Sequence, residues 1–403
     1  MKNSILRKFL LSAVSVSTIT GLTQAQDTLN TSQLLGGINT ITTAVPFLLI
    51  CPDSRAGGMG EVGVSTSPDV NSTHWNLAKL AFSDKTGGIG ISYTPWLRQL
   101  VPDINLAYIT GYKKLKGDAA IAGSLRYFSL GNITFTDVVG NVTGQFNPNE
   151  FAIDIGYARK LGEEFSGSLS LRYINSNLTG GIEVQGAQTK AGQSVAADIG
   201  TYWHRELDIS DKKSILTIGA TITNIGAKIS YSETGTKDFI PTNLRFGSGL
   251  MMNINDYNSI AFNVEFSKLL VPTPPIYATD TAGNRYIAYG EDPNVGVPKG
   301  MIQSFSDAPN GFSEEMQEII WQLGFEYWYD KQFAFRGGYF HEAANKGNRQ
   351  FFTVGAGLKY NIFGLDFAYL IPTEQRNPLE NTLRFTLTFD FDAKAKKDKS
   401  SEE

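Results

Sequence analysis

The sequence predicts an all-β protein, a 14-stranded antiparallel transmembrane β-barrel. Composition is the first of three observations that predict it: glycine supplies 41 of the 403 residues, aromatic residues 12% and charged residues only 18%. An average soluble protein has roughly 25% charged residues. The mean hydropathy is −0.15, and the longest apolar run beyond the N-terminus, residues 44–51, is far shorter than the roughly 20 residues of a spanning helix. Barrel strands alternate apolar and polar residues and therefore show no hydropathy peak.

The first 25 residues are expected to be a secretory signal peptide. Three basic residues precede the apolar stretch 9–14, and residues 23–25, Thr-Gln-Ala, offer a small-residue cleavage site. The mature chain is therefore expected to start near Gln26, outside the cytoplasm.

Period-2 alternation is the second observation, and it marks 14 strands along the chain. In the last strand, Leu383, Phe385 and Leu387 share one face, while Arg384 and Thr386 share the other. A soluble β-sandwich alternates in the same way, so alternation alone leaves that alternative open. The expected strand cores are 87–95, 102–114, 119–128, 150–160, 165–174, 193–203, 214–224, 242–255, 258–269, 321–329, 333–342, 351–360, 363–370 and 382–391.

Connection lengths are the third observation, because outer-membrane barrels have short periplasmic turns and long external loops. If the first strand runs outward, every periplasmic connection has four residues or fewer, except the ten-residue connection 204–213. The external connections include 129–149, 175–192, 225–241 and the much longer 270–320. This separation by length favours the barrel over the sandwich and places both ends of the barrel at the periplasm.

The strand positions divide the chain into four segments. We expect a signal peptide at 1–25, an N-terminal hatch at 26–86, the barrel at 87–391 and a charged periplasmic tail at 392–403. Fourteen strands enclose a lumen that wall side chains alone do not fill, so the hatch is expected to lie inside it. Its glycines allow sharp turns and close packing. The candidate hatch motif comprises Arg55, Gly57, Gly58, Met59, Gly60, His74, Trp75 and Asn76.

Charged residues at the inward positions of the expected strands are balanced in sign. Equal numbers of acids and arginines predict a paired and plugged interior, whereas an open channel lined by the same residues is the alternative. The acids are Asp154, Asp198, Glu265, Glu326 and Asp366, and the arginines are Arg126, Arg172, Arg245, Arg336 and Arg384.

The connection 270–320 is expected to bind a protein partner, because it is too long for a passive connection and carries exposed aromatic residues. A loop folded inward as a lid over the barrel is the alternative. We predict a short helix that runs from Ser313, the N-cap, to Trp321 and has Phe312, Met316, Ile319 and Ile320 on one face. The candidate partner-binding residues are Ile276, Tyr277, Tyr286, Ile287, Tyr289, Phe312, Met316 and Ile319.

The remaining chemistry-bearing residues predict neither an active site nor a metal or cofactor site. His74 is expected in the hatch, His204 in a periplasmic turn and His341 at the external rim, and no serine beside them forms a nucleophile elbow. Cys51 is the single cysteine, is expected to be a buried free thiol, and completes no metal-ligand spacing. The net charge of −4 without a basic block excludes nucleic acid as a partner.

One stretch of the expected hatch resembles a known family. Ser54-Arg55-Ala56-Gly57-Gly58-Met59-Gly60, followed by Thr66-Ser67-Pro68-Asp69 and His74-Trp75-Asn76, is similar to the hatch of the PorV family of the type IX secretion system. That family belongs to the wider FadL-like group of 14-stranded barrels. The resemblance implies a non-enzymatic shuttle in the outer membrane of a Gram-negative bacterium. Its implied partners are the large translocon barrel, the C-terminal signal domains of secreted cargo, a sortase-like surface attachment complex and outer-membrane lipid.

Two other functions stay open at this point. A FadL-like transporter of hydrophobic small molecules would need an apolar pocket beside the hatch and a lateral opening in the wall. Gly247 and Gly249 could provide that opening by kinking the eighth strand. A lipopolysaccharide deacylase-type accessory protein is the third possibility, and the scattered histidines speak against it.

Overall fold

The computed structural model describes residues 37–392, except 99–100, 102, 137–138, 182, 185–186, 234 and 375–376. The expected signal peptide, the first residues of the mature chain and the tail from residue 393 lie outside the described residues. The segment boundaries at 26 and 392 therefore stay predictions.

In the described residues, 14 antiparallel strands close into one barrel, in which each strand pairs with its neighbour in sequence. The first and last strands close the circle, with Gly87 opposite Phe391 and Tyr93 opposite Phe385. This confirms the predicted fold class. The strands are β1 Gly87–Pro95, β2 Ile104–Leu115, β3 Ala119–Leu130, β4 Asn149–Lys160, β5 Phe165–Asn177, β6 Gly192–Ile209, β7 Lys212–Gly226, β8 Asn243–Asn253, β9 Asn258–Leu269, β10 Ile320–Tyr329, β11 Phe333–His341, β12 Gln350–Tyr360, β13 Phe363–Pro372 and β14 Leu383–Phe391.

The alternation in each strand sorts the side chains onto two faces. In β4, Ile153, Ile155 and Tyr157 are exposed on the outer face, whereas Ala152 and Asp154 are buried on the inner face. Lipid replaces water around the outer face, so an apolar band is stable there, while polar and small residues line the lumen.

Strands β6 and β7 correct one predicted connection. The expected connection 204–213 is wrong, because β6 continues to Ile209 and β7 already begins at Lys212. Ser210 and Asp211 form the turn, and their φ angles of 51° and 62° are those of a two-residue hairpin. The prediction failed because charged residues are untypical of a membrane strand, yet this end of the hairpin is exposed.

Gly247 and Gly249, which could have kinked the eighth strand, do not interrupt it. Along the whole described length of β8, the register with β7 and with β9 is unbroken through Gly247 and Gly249. The register shifts instead between β6 and β7, where Asp198 lies opposite two residues of β7, Thr223 and Asn224. The extra residue is therefore a β-bulge in β7, where Asn224 has a φ of 60°.

Short elements fill the lumen and cover the end of the barrel that carries the long connections, called the external end below. In the lumen lie 3₁₀ turns at Pro46–Leu49 and Leu77–Phe82 and the helices α1 Ser54–Gly57 and α2 Ser72–Trp75. At the external end lie the helices α3 Val297–Gln303 and α4 Phe312–Gln317 and the hairpins Ile133–Thr136 with Val142–Phe146, Glu183–Val184 with Ala187–Gln188, and Ile276–Thr279 with Arg285–Tyr289. No helix within the described ranges is long and apolar enough to cross a membrane.

Candidate functional site

The hatch is held together by one buried carboxylate. Asp53 caps helix α1, because its Oδ1 accepts a hydrogen bond of 2.9 Å from the backbone nitrogen of Ala56. Its Oδ2 accepts a hydrogen bond of 2.7 Å from Nε1 of Trp75 on helix α2. Asp53 therefore joins the two halves of the hatch, and the sequence analysis did not single it out.

Glycines on both sides let the hatch touch the barrel wall. Gly60 has φ of 67°, and a Cβ there would lie 2.6 Å from the carbonyl oxygens of Leu323 and Tyr339. From the wall, a Cβ at Gly338 would overlap the backbone of Met59 and Gly60. Only paired glycines permit this backbone-to-backbone approach. The hatch motif included Gly60, whereas Gly338 in the wall was not singled out from the sequence.

Arg55 connects the hatch to the wall through a buried chain of alternating charges. Its Nε and Nη2 donate to the Glu326 carboxylate of β10 at 3.0 and 2.8 Å, and its Nη1 donates to Asp69 at 3.0 Å. On the far side, Glu326 accepts from Arg336 at 2.8 Å, which also donates to Asp366 at 2.6 Å. Such charge-assisted bonds are the stronger class of protein hydrogen bonds.

Two further groups of charged wall residues pair in the lumen. Arg172 donates to Asp154 at 2.5 Å and to Asp198 at 3.0 Å. Arg245 donates to Glu265 at 2.8 Å, whose second oxygen accepts hydrogen bonds from the backbone of residues 63 and 64 in the hatch. The wall charges therefore hold the hatch as well as one another.

Two of the five predicted arginines do not pair with wall acids. Arg384 instead forms an ion pair of 2.6 Å with Glu61 of the hatch. Arg126 pairs with no carboxylate in the described part of the chain and donates to the carbonyl oxygen of Leu48, at 2.7 Å, and to His74. The equal numbers of acids and arginines therefore do not correspond to one-to-one pairs within the wall, because the hatch supplies partners to Arg384 and Arg126.

The other predicted hatch residues surround the same contacts. Met59, Trp75 and Asn76 are buried, and His74 is half-buried. Gly57 lies against the side chain of Arg384, and Gly58 against the backbone of Gly355 in the wall. The structure thus brings the whole motif together between α1, α2 and the wall.

Sequence reasoning missed Lys79, which is buried in the hatch. Its Nζ donates to the Gly63 carbonyl oxygen at 2.7 Å and to Thr66 Oγ1 at 2.9 Å. A lysine in a segment expected to be buried must have hydrogen-bond acceptors, so its charge was the signal that could have identified it.

Helix α4 in the external loop exposes its apolar face and buries its acidic face. Phe312 and Met316, one turn apart, are 79% and 50% exposed, whereas Glu314 and Glu315 on the other side are buried. A helix on a soluble domain normally buries its apolar face and exposes its charges. In α4 the apolar face is directed away from the rest of the protein.

Two lysines from outside the helix stabilise this orientation. Lys268, at the end of β9, lies 3.0 Å from Glu315 and 2.5 Å from Glu318. Lys346 pairs with Glu314 and lies 2.9 Å from Glu318. Burial alone would raise the pKa of Glu314, but the hydrogen bond from Lys346 and others lower it below its usual range. Glu314 is therefore ionised, and all three glutamates are paired with lysines.

Asp307, between α3 and α4, lies in the same group of charges. It is buried, and its Oδ2 accepts a hydrogen bond of 3.1 Å from the Thr273 backbone, while its Oδ1 has no partner among the described residues. Burial, with Glu315 and Glu318 nearby, raises the pKa of Asp307 to about 7. This carboxyl group therefore titrates near neutral pH.

The structure corrects several predictions for the external loop. The helix begins at Phe312 after a Gly311 N-cap and ends at Gln317, so the expected span from Ser313 to Trp321 is wrong. Trp321 lies in β10, which begins at Ile320, three residues after the last residue of the helix.

The candidate partner-binding residues of this loop fall into two groups. Phe312 and Met316, together with Tyr286 and Tyr289, are exposed, whereas Ile276 is fully buried and cannot contact a partner. Tyr277, Ile287 and Ile319 are half-buried. Sequence reasoning missed Ile302 and Phe305, which are 76% and 53% exposed; the apolar periodicity of α3 was too short to show them.

A cavity of about 420 Å³ lies at the external end, between the start of the hatch and the wall. Its apolar lining includes Ile50, Trp96 and Phe351, and its charged lining includes Lys346 and Arg349. Cys51, the free thiol, is buried beside it. The arrangement can hold a small amphipathic molecule.

The three histidines lie in three different environments. His74 packs against Trp75 in the lumen, and His204 stacks on Phe82. His204 lies in strand β6 and not in the expected turn. His341 stacks on Trp321 at the external rim. Within the described ranges, no group of three or more side chains has the arrangement of a metal site.

The family model described as "Type IX secretion system protein PorV" matches residues 35–276, more than half of the chain, including the hatch and the first nine strands. The chain belongs to the PorV family. As a member of that family it is an outer-membrane protein of a Gram-negative bacterium with a role in type IX secretion. No curated protein matches the chain.

Several solved structures are similar to this chain in fold. The Pseudomonas putida toluene transporter TodX is 11% identical, with a TM-score of 0.47 over 84% of this chain and 97% of that one. The Ralstonia pickettii toluene transporter TbuX is 11% identical, with a TM-score of 0.45 over 85% and 98% of the two chains. A Pseudomonas aeruginosa FadL homologue is 11% identical, with a TM-score of 0.41 over 88% and 100%.

Proposed function

We propose that this chain is a shuttle of the type IX secretion system. It receives the C-terminal signal domain of an exported cargo protein beside the large translocon barrel and delivers it to the sortase-like attachment complex at the cell surface. It performs no catalysis of its own. The PorV family assignment supports the secretion role, and the cargo step is inferred from the external loop.

The orientation of α4 carries this proposal. Phe312 and Met316 are exposed at the external end, while buried ion pairs from Glu314, Glu315 and Glu318 to two lysines hold the helix in place. Aromatic residues and methionine are enriched at the centre of protein interfaces, where charged residues are depleted. An apolar surface that is fixed before binding also reduces the entropy lost on association.

Removing the two exposed side chains tests the proposal. We expect Phe312→Ala with Met316→Ala to weaken binding of a purified cargo signal domain by at least tenfold in biolayer interferometry, because interface anchors of this kind contribute more than about 1 kcal/mol each. The matched control is Val142→Ala, which removes a 64% exposed apolar side chain from another external hairpin. If the α4 double variant binds the cargo domain as tightly as the Val142→Ala control does, the cargo role of α4 is contradicted.

Transport of a hydrophobic small molecule is the second candidate, and the external cavity is the observation that favours it. Its volume of about 420 Å³ and its mixed apolar and charged lining suit a fatty acid-sized ligand. Mass spectrometry of the purified barrel distinguishes the two functions. Recovery of a stoichiometric fatty acid, together with undisturbed cargo attachment in the α4 double variant, would favour transport over the shuttle.

A further inference from the structure

A groove of about 550 Å³ interrupts the outer wall of the barrel across strands β8 to β12. Its lining is mainly apolar, and Phe262, Leu323 and Phe352 on its sides are 54%, 46% and 53% exposed. Because these side chains point away from the lumen, the groove faces the membrane. It is separate from the external cavity and from the external loop.

The strand register explains why the wall is hollow at this point. Paired residues of neighbouring strands form rows across the outer face, and one row reads Leu250, Phe262, Phe325, Gly337 and Val354. Gly337 is the gap in this row. A Cβ placed there would have one neighbour within 4 Å, the Thr353 carbonyl oxygen at 3.9 Å.

Aromatic pairs border the gap on two sides. Phe262 and Phe325 lie beside it in the same row, with ring centroids 5.2 Å apart, and Tyr339 and Phe352 lie in the next row toward the external end, 4.8 Å apart. Leu323 belongs to the same row as Tyr339 and also borders the groove. The result is a slot with a glycine floor and aromatic sides.

The position of the slot identifies the leaflet. Tyr339 packs on Trp321, with centroids 5.3 Å apart, and Trp321 stacks on His341 at the external rim. Tryptophan and tyrosine concentrate at the boundary between the hydrocarbon region and the headgroups. The slot begins directly below this boundary and therefore lies at the depth of the outer-leaflet acyl chains.

We propose that the slot binds one acyl chain of lipid A, which forms the outer leaflet of a Gram-negative outer membrane. The hydrocarbon of the membrane surrounds this face, and an unfilled slot would forfeit dispersion contacts along its whole lining. The aromatic sides restrict the chain in two directions and the glycine floor admits it. This site is independent of the proposed secretion function.

Filling the slot tests the proposal. The barrel is extracted in mild detergent, stripped of lipid, incubated with purified lipid A and examined by native mass spectrometry. We expect one retained lipid A on the unaltered protein and at least a tenfold lower bound fraction on Gly337→Phe, whose ring occupies the slot. The matched control is Gly111→Phe, an outward glycine of β2 whose Cβ would meet its nearest atom at 3.4 Å; it should retain lipid as the unaltered protein does.

Further measurements keep the proposal falsifiable. If Gly337→Phe fails to fold, as judged by heat-modifiable migration, Phe352→Ala removes one side of the slot and should lower retention as well. A photoreactive benzoylphenylalanine at Val354, beside the gap, should crosslink to lipid A in intact cells. The proposal would be overturned if Gly337→Phe retained as much lipid A as the unaltered protein, or if the barrel bound glycerophospholipid in preference to lipid A. It would also be overturned if benzoylphenylalanine at Val354 crosslinked to a protein.

Discussion

Replacing Arg55 with methionine is expected to loosen the hatch without unfolding the barrel. The guanidinium group donates to Glu326, Asp69 and Ser67, and it is the ionic connection between the hatch and β10. Methionine keeps much of the side-chain volume but none of these hydrogen bonds. Asp69 then loses its one ion-pair partner among the described residues, whereas Glu326 keeps Arg336.

The structure sets the size of the effect. Arg55 and Glu326 are buried, with side-chain exposures of 11% and 4%. Removing one partner of a buried ion pair costs about 3 to 5 kcal/mol, because the remaining charge is left uncompensated. At about 1.4 kcal/mol for each factor of ten, the population of the open hatch should rise by roughly two to nearly four orders of magnitude.

The single cysteine of the chain reports on this opening. Cys51 lies in the hatch and is 1% exposed, so a maleimide reaches it only when the hatch opens. When opening and closing are fast, the labelling rate is proportional to the open population. We therefore expect Cys51 in Arg55→Met to react at least a hundredfold faster than in the unaltered protein.

A surface ion pair provides the control. Lys85 lies 2.6 Å from Asp392, but the two side chains are 40% and 66% exposed, and such pairs contribute about 0 to 1 kcal/mol. Lys85→Met should leave the labelling rate within a fewfold of the unaltered protein. A heat-modifiable Arg55→Met barrel whose Cys51 reacts as slowly as this control would refute the reasoning.

Three other changes have clear expected outcomes. Burial raises the folded pKa of Asp307 to about 7, from about 4 in an unfolded chain, so the stability of the external loop should fall as pH rises from about 4 to about 7. Protease cleavage of the loop should therefore become faster across this pH range. The Asp307→Asn variant should not show this pH dependence. Gly338→Ala, which overlaps the hatch backbone, should lower the melting temperature in detergent, whereas Gly337→Ala on the outer face should not; equal effects would place the hatch elsewhere. Lys346→Met leaves the buried Glu314 without its ion-pair partner, whereas Glu318 keeps Lys268, and should reduce cargo-domain binding about as much as loss of the exposed α4 side chains; full binding would separate the helix from the cargo site.

The strands could be predicted from sequence because each one carries its own periodicity. β1 and β9 were predicted at the residues where the structure has them, and the alternation in β14 correctly separated Phe385 from Arg384. The same rule failed between β6 and β7, since the strands continue beyond the membrane, where no apolar face is needed. The part of a strand that extends beyond the membrane therefore shows a weaker alternation of apolar and polar residues.

The candidate site could be predicted only in part. Arg55, Glu326 and Arg336 were singled out as charged residues in a buried environment, but their order along one chain of hydrogen bonds depends on which strands are neighbours. Ile276 and Phe312 look alike as apolar loop residues, yet one is fully buried and the other 79% exposed. Burial in a loop without periodicity depends on contacts distant in sequence.

By itself, the sequence determined the barrel, its strand count, the luminal face of each strand and the expectation of a hatch. These properties follow from local alternation and from charges that need partners wherever they are buried. The tertiary structure alone decided that Arg384 pairs with Glu61, that α4 turns its apolar face outward, and that Gly337 leaves a slot in the wall. Each of these depends on residues far apart in sequence, which become neighbours only when the barrel closes around the hatch.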